Sequence, residues 1–339
     1  MEVGVSPTTV SYVMNQNTSH KISEATRNAI LEAAKRLQYV PNSTARSLRY
    51  NSSRCIGVAL GKSVTSSRFG AILQGVRDGL QEAGYWLMLF NIDIKGPIYP
   101  DYLDSVMQRR TDGILYISST GESPDEEWRK LIIKNKLPFV ACDCCPPEPE
   151  LASVSFDYER GAFEIGCRLL GEGVKNILYW RPSLHTDLEH YRETGLRQAV
   201  ERYPGATLKI KEFNCEDAEN IFYEERQAAL SNMCKQHLMQ EIVPEIVSYG
   251  AEDAIVCSWT IMMKHLSSVL NTISREIRFA CLSDAELPFL AEPRVLISHP
   301  EFRRGGEESA RLLLQLINGE KVENNRILIA PDTPQYVEL

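Results

Sequence analysis

No apolar run in this chain approaches the roughly 20 residues needed to cross a bilayer. No secretory signal opens it either, so no membrane association is expected and the cytoplasm is the expected compartment. Nine cysteines in such a chain read as reduced thiols rather than a disulfide framework. The densest group, Cys142-Asp143-Cys144-Cys145, has no second Cys pair or nearby His to complete a four-ligand set. Strand-end packing explains it better than a metal, and no metal or cofactor is expected. Catalytic patterns are missing too. Gly57 to Ser63 looks like a phosphate-binding loop, but it has three residues between its glycines where the motif needs four, and Val58 to Leu60 belong to a strand. There is no Ser-His-Asp order and no HExxH run, and the five-residue spacing of His185 and His190 does not place them on one helix face. The chain does not read as an enzyme.

What is present fits a globular protein of two or three domains: 339 residues, 43% hydrophobic and 24% charged. The net charge of −8 is unevenly spread. Residues 1–54 carry seven Lys/Arg and three Glu, a net +4, which leaves −12 on the remainder. A small basic module on an acidic body suits a nucleic-acid-binding head on a second functional unit.

The basic module reads as three short helices. Ser6 is a good N-cap, Pro7 follows at the first helical position, and Val10, Val13 and Met14 repeat on one face. The opposite face holds Thr8, Thr9, Ser11 and Tyr12, short donors and acceptors suited to base edges and phosphates. Ser23 caps a second helix with Ile30, Leu31, Ala34 and Leu37 as its expected apolar stripe. Pro41 breaks the chain, and Asn42 can cap a third segment, Ser43 to Leu48, which carries Arg46 and runs into Arg49.

These three segments, in this order, resemble the DNA-binding headpiece of the lactose/galactose repressor (LacI-type) family. Val5 to Asn15 (VSPTTVSYVMN) resembles its recognition helix, Lys21 to Arg27 (KISEATR) the start of its third headpiece helix, and Tyr39 to Arg49 (YVPNSTARSLR) its hinge helix. The resemblance implies DNA contacts from Ser6, Thr8, Thr9, Tyr12, Asn15, Arg46, Leu48 and Arg49, with Leu48 as a minor-groove wedge. One departure stands out. The family has a helix before the Val-Ser motif, whereas here the chain reads Met1-Glu2-Val3-Gly4. Its loss is expected to expose Val10 and Val13, so either the true start lies upstream or this form binds DNA poorly.

From Cys55 onward short Val/Ile/Leu-rich runs alternate with helical patterns, as in parallel doubly wound α/β sheets. Two such series after a headpiece resemble the family's two-lobed sensor, whose fold is like that of periplasmic sugar-binding proteins. The expected organisation is a headpiece and hinge over 1–54 and a sensor over 55–339. Lobe 1 would take about 55–157 and 292–319, and lobe 2 about 158–291 and 320–339. The three crossings then fall near Asp157, between Leu287 and Glu292, and near Gly319.

Ligands of such sheets bind beyond the carboxyl ends of the strands. Arg192, followed three residues later by Gly195, resembles the family's ligand-clamping arginine; a solvated helix-surface charge is the alternative. Phe69 is a candidate aromatic against the ligand, or a core residue. Asp157 and Asp284 match acidic cleft positions, with structural alternatives at a crossover strand and a turn cap. Where the family places an acidic residue after the strand Ala254 to Cys257, this chain has Ser258 and Trp259, and Trp259 is suited to stack on a ring or simply to pack. The reading is a sequence-specific DNA-binding regulator, a repressor by family. A homodimer would bind a pseudo-palindromic double-stranded operator, with affinity set by a small effector such as a sugar in the interlobe cleft. The alternatives are a solute-sensing protein of the same fold without DNA binding, and an α/β enzyme acting on a sugar or nucleotide.

Overall fold

The computed structural model describes residues 3–14, 21–39, 52–61, 67–92, 98–118, 121–184, 186–215, 223–269, 277–283 and 294–337. The chain divides into two compact units, Met1–Arg54 and Cys55–Leu339.

In the first unit, helix Pro7–Met14 starts where its cap is: the Thr9 amide donates to Ser6 Oγ at 3.1 Å. Helix Glu24–Arg36 starts in the same way, with the Thr26 amide donating to Ser23 Oγ at 3.2 Å. The two helices pack on each other. Val13, expected to be exposed, is buried, as are Ile30 and Ala33, while Val10 is half-buried. The expected stripe on the second helix is corrected in part: Leu31 and Leu37 are exposed, because the buried face runs through Ile30 and Ala33. Asn15, Arg46, Leu48 and Arg49 lie outside the described residues.

The second unit holds two six-stranded sheets. Sheet one contains β1 (Cys55–Leu60), β2 (Trp86–Asn91), β3 (Gly113–Ile117), β4 (Phe139–Cys142), β5 (Ala152–Phe156) and β11 (Arg326–Ile329), in the order β11-β5-β4-β3-β1-β2 and parallel throughout. Sheet two contains β6 (Asn176–Pro182), β7 (Thr207–Phe213), β8 (Asp253–Cys257), β9 (Arg278–Cys281), β10 (Val295–Ile297) and β12 (Gln335–Val337), in the order β12-β10-β9-β8-β6-β7. Only β12 runs antiparallel to its neighbour there. Hydrophobic clusters cover both faces of each sheet, which is why the central strands are apolar along their whole length.

The lobe boundaries differ from the expected ones. Strand β10 joins sheet two, whereas the next helix, Phe302–Ile317, buries Phe302, Ala310, Leu312 and Leu313 in the core of lobe 1. The second crossing therefore falls at 298–301, not at Leu287 to Glu292. Strand β11 pairs with β5 in sheet one and buries Ile329 there, so the third crossing falls at 330–334 rather than near Gly319. Hydrophobic alternation identifies an edge strand but not which of two sheet edges receives it.

One close helix approach within each lobe fixes the elements that carry the cleft residues. A Cβ on Gly306 would stand 2.1 Å from the Ile72 carbonyl oxygen, so helix Phe302–Ile317 lies backbone to backbone on helix Ser67–Gln81. In lobe 2 a Cβ on Gly195 would stand 2.1 Å from the Glu159 carbonyl oxygen, which fixes helix Asp187–Arg202 against helix Tyr158–Gly171.

Candidate functional site

Each sheet has one place where the strand order reverses, and these switch points favour ligands beyond the strand ends. In sheet two it lies between β6 and β8. Ser258 and Trp259 follow β8 directly, and helix Asp187–Arg202 follows β6, capped by Thr186. On that helix Glu189 and Arg192 are three apart and share a face. Both are buried, and Arg192 Nη1 donates to Glu189 Oε1 at 2.8 Å.

The Glu189 carboxylate gathers further donors. The Ser258 hydroxyl lies 2.6 and 2.7 Å from its two oxygens. Trp259 Nε1 donates to Oε1 at 3.1 Å, and the Tyr179 hydroxyl donates to Oε2 at 2.9 Å. Burial pushes the Tyr179 hydroxyl well above its ordinary pKa, and the neighbouring Glu189 charge adds to the shift. Burial opposes charge on Arg192, but Glu189 and the nearby phenols outweigh it and hold the guanidinium above its usual value.

In sheet one the switch point lies between β1 and β3. Arg68, at the start of helix Ser67–Gln81, donates to the Ser118 carbonyl after β3 at 3.2 Å and pairs with Asp143, the first residue after β4. Its guanidinium carbon lies 5.4 Å from the Phe69 ring centroid and 5.8 Å from that of Phe302. Phe302 in turn meets Phe156 edge-on at 4.9 Å.

Tyr158 joins the two halves. It opens helix Tyr158–Gly171 of lobe 2, yet its hydroxyl donates to Asp143 of lobe 1 at 2.9 Å. Its ring lies under the Arg192 guanidinium, 5.2 Å from centroid to carbon. Arg68, Asp143, Tyr158, Arg192 and Glu189 thus form one continuous polar path across the interlobe cleft. Beside it opens a cavity of about 360 Å³ lined by Asp143, Tyr158, Asp157, Ser155, Leu188 and Tyr191, among others.

The expected cleft residues fare differently. Arg192 lies on the path between Tyr158 and Glu189, buried rather than solvated. Trp259 is half-buried, donates to Glu189 and meets Phe213 edge-on at 6.1 Å. Phe69 belongs to the lobe 1 core and presents its ring to Arg68. Asp157 lines the cavity while capping the following helix, accepting from the Arg160 amide at 3.0 Å. Asp284 lies outside the described residues. Sequence reading missed Glu189, Asp143, Arg68 and Tyr158. The first had a signal, its spacing of three from Arg192; Asp143 had another, its place at a strand's carboxyl end. In the Cys142–Cys145 stretch Asp143 turns to Arg68 and Tyr158, and no group of three or more His, Cys, Asp or Glu suited to a metal occurs among the described residues. In the first unit Thr8 is exposed, and Thr9 and Tyr12 are half-buried.

A capped N-terminal helical unit followed by two mostly parallel sheets with a polar interlobe cleft defines a regulator with a periplasmic-binding-protein-like sensor. The chain belongs to the lacI family of bacterial regulatory proteins. That family's DNA-binding region matches residues 1–42, and the periplasmic binding proteins and sugar binding domain of the LacI family match 53–336. It is a DNA-binding transcription regulator. Over 338 residues, 97% of this chain and 93% of the relative, it is 28% identical to the HTH-type transcriptional repressor PurR of Mannheimia succiniciproducens. It is 33% identical to PurR of Photobacterium profundum over 175 residues, so that match spans about half of each protein, 51% in both cases. The fold is similar to that of the Lac repressor dimer bound to operator and the anti-inducer ONPF, with a TM-score of 0.72 at 19% identity, over 99% of this chain and 96% of that one.

Proposed function

We propose that the chain represses transcription as a homodimer on a pseudo-palindromic operator, and that a small polar solute, a sugar or a molecule of similar size, sets its operator affinity from the interlobe cleft. The observation that carries the reading is the polar path from Arg68 to Glu189, with contributions from both lobes. Arg68 Nε and Arg192 Nε are buried along it without hydrogen-bond partners. Such donors are costly in a protein interior and match the acceptor oxygens of a hydroxylated solute. A solute bridging them ties lobe 1 to lobe 2, and it shifts operator affinity only by its differential affinity for the two lobe arrangements.

Thr8, Thr9 and Tyr12 are the proposed base readers, with Ser6 positioning their helix. Asn15 is a further proposed DNA contact, and Leu48, flanked by Arg46 and Arg49, is the proposed minor-groove wedge. The proposed partner surface is the β2 edge of sheet one, where Trp86 and Leu89 are 72% and 51% exposed and Met88 is exposed beside them. A second copy placed there supplies the two-fold axis that a symmetric operator requires.

The test is a thermal-shift screen of neutral mono- and disaccharides and nucleosides on the full chain, followed by operator titrations with each solute that stabilises it. At least one solute is expected to change operator affinity by about fivefold or more, the usual scale of allosteric coupling. Stabilising solutes that all leave operator affinity unchanged would refute the effector role.

A further inference from the structure

We infer that Ser258, Trp259, Tyr179 and Arg192 form a carboxylate-binding site that the chain fills with its own Glu189. The inference rests on the effector-cleft reading only for its consequence, that a solute reaching this wall of the cleft presents a neutral or cationic group and not an anion.

Four side chains from three separate elements aim at one carboxylate: Tyr179 from β6, Ser258 and Trp259 from the end of β8, and Arg192 from the helix. Both oxygens of Glu189 are engaged, and its side chain is 2% exposed. Such an array is what a bound anion's site looks like: a cation, an indole N–H and two hydroxyls converging in a desolvated pocket at a topological switch point. Here the anion is tethered, which removes the entropic cost of capturing a free one. The same arrangement accounts for Ser258 and Trp259 at the position where an acidic residue was expected after β8. The negative charge at this corner comes from the helix instead of the strand end, and with its acceptor sites already engaged it does not serve as a receptor for solute hydroxyls. A free carboxylate or phosphate arriving here meets an arginine already neutralised and a second negative charge beside it.

The decisive experiment is chemical rescue. Glu189→Ala keeps Cβ and deletes atoms that correspond to acetate, so acetate fits the space it leaves. In the full-length Glu189→Ala variant, acetate is expected to raise the thermal midpoint saturably by about 2–4 °C beyond ionic-strength-matched chloride, the scale of roughly 1 kcal/mol of binding in a domain of this size. Acetamide, the neutral isostere, is expected not to do so, and the unmodified chain is expected not to respond to acetate. If Glu189→Ala does not fold in chloride, refolding from urea in acetate is expected to recover it. A variant that acetate stabilises no more than chloride or acetamide does, or that acetate fails to recover, overturns the inference. Because the readout is stability without effector or operator, it stands or falls separately from the effector reading.

Discussion

Arg192→Ala is expected to cost the sensor about 3–5 kcal/mol, the penalty for stranding a buried charge whose partner has been removed. The side chains of Arg192 and Glu189 are only 6% and 2% exposed, so neither water nor another described cation can replace the lost guanidinium cheaply. The hydroxyls of Ser258 and Tyr179 and the indole of Trp259 remain as donors, but they do not cancel the charge. Removing both members of the pair, in Arg192→Met with Glu189→Met, is expected to cost less than Arg192→Ala alone, because no unpaired charge is left in the interior. Urea unfolding of the three proteins measures this. A single variant within about 1 kcal/mol of the parent would mark the pair as a weakly coupled surface contact.

Gly195→Ala is expected to be nearly as damaging, although alanine is the better helix former. In an open helix the exchange gains about 1 kcal/mol. Here the new Cβ would lie 2.1 Å from the Glu159 carbonyl oxygen and 2.8 Å from the Phe163 amide nitrogen, both backbone atoms that cannot rotate away. The helices must separate, at a cost of about 3 kcal/mol or more, so the clash outweighs the propensity gain. Separation also lifts Arg192 off the Tyr158 ring and loosens the cross-lobe path. The expected signature is a lower unfolding midpoint together with a changed environment for Trp259 in fluorescence. A Gly195→Ala protein as stable as the parent would show that the helices have room to spare.

Much of this architecture was legible in the chain, for identifiable reasons. Strands such as Gly113–Ile117 and Phe139–Cys142 are buried on both faces, so their sequences are unbroken apolar runs. Ser6 and Ser23 announce their helices because capping is local chemistry. Short strands were harder. Val295–Ile297 and Gln335–Val337 are three residues each, too short for periodicity to register. The sheet membership of Arg326–Ile329 depends on contact with β5, some 170 residues away in sequence, which local pattern does not encode. The cleft was half legible. Arg192 stood out through its spacing to Gly195, and the close helix contact explains why a glycine is needed there. The convergence of Tyr179, Glu189 and Ser258 joins three elements whose relative placement only the fold supplies.

The most direct test of the DNA-reading role is selection of binding sites from a random DNA pool, using the protein as it is made in its own cell and, in parallel, its Tyr12→Ala variant. The expected result is an enriched sequence with two-fold symmetry, with a base preference that shifts in the variant by about 1–3 kcal/mol per altered contact. Salt-sensitive binding with no enriched sequence, or an identical preference in the variant, would contradict the assignment of Pro7–Met14 as the helix that reads the operator.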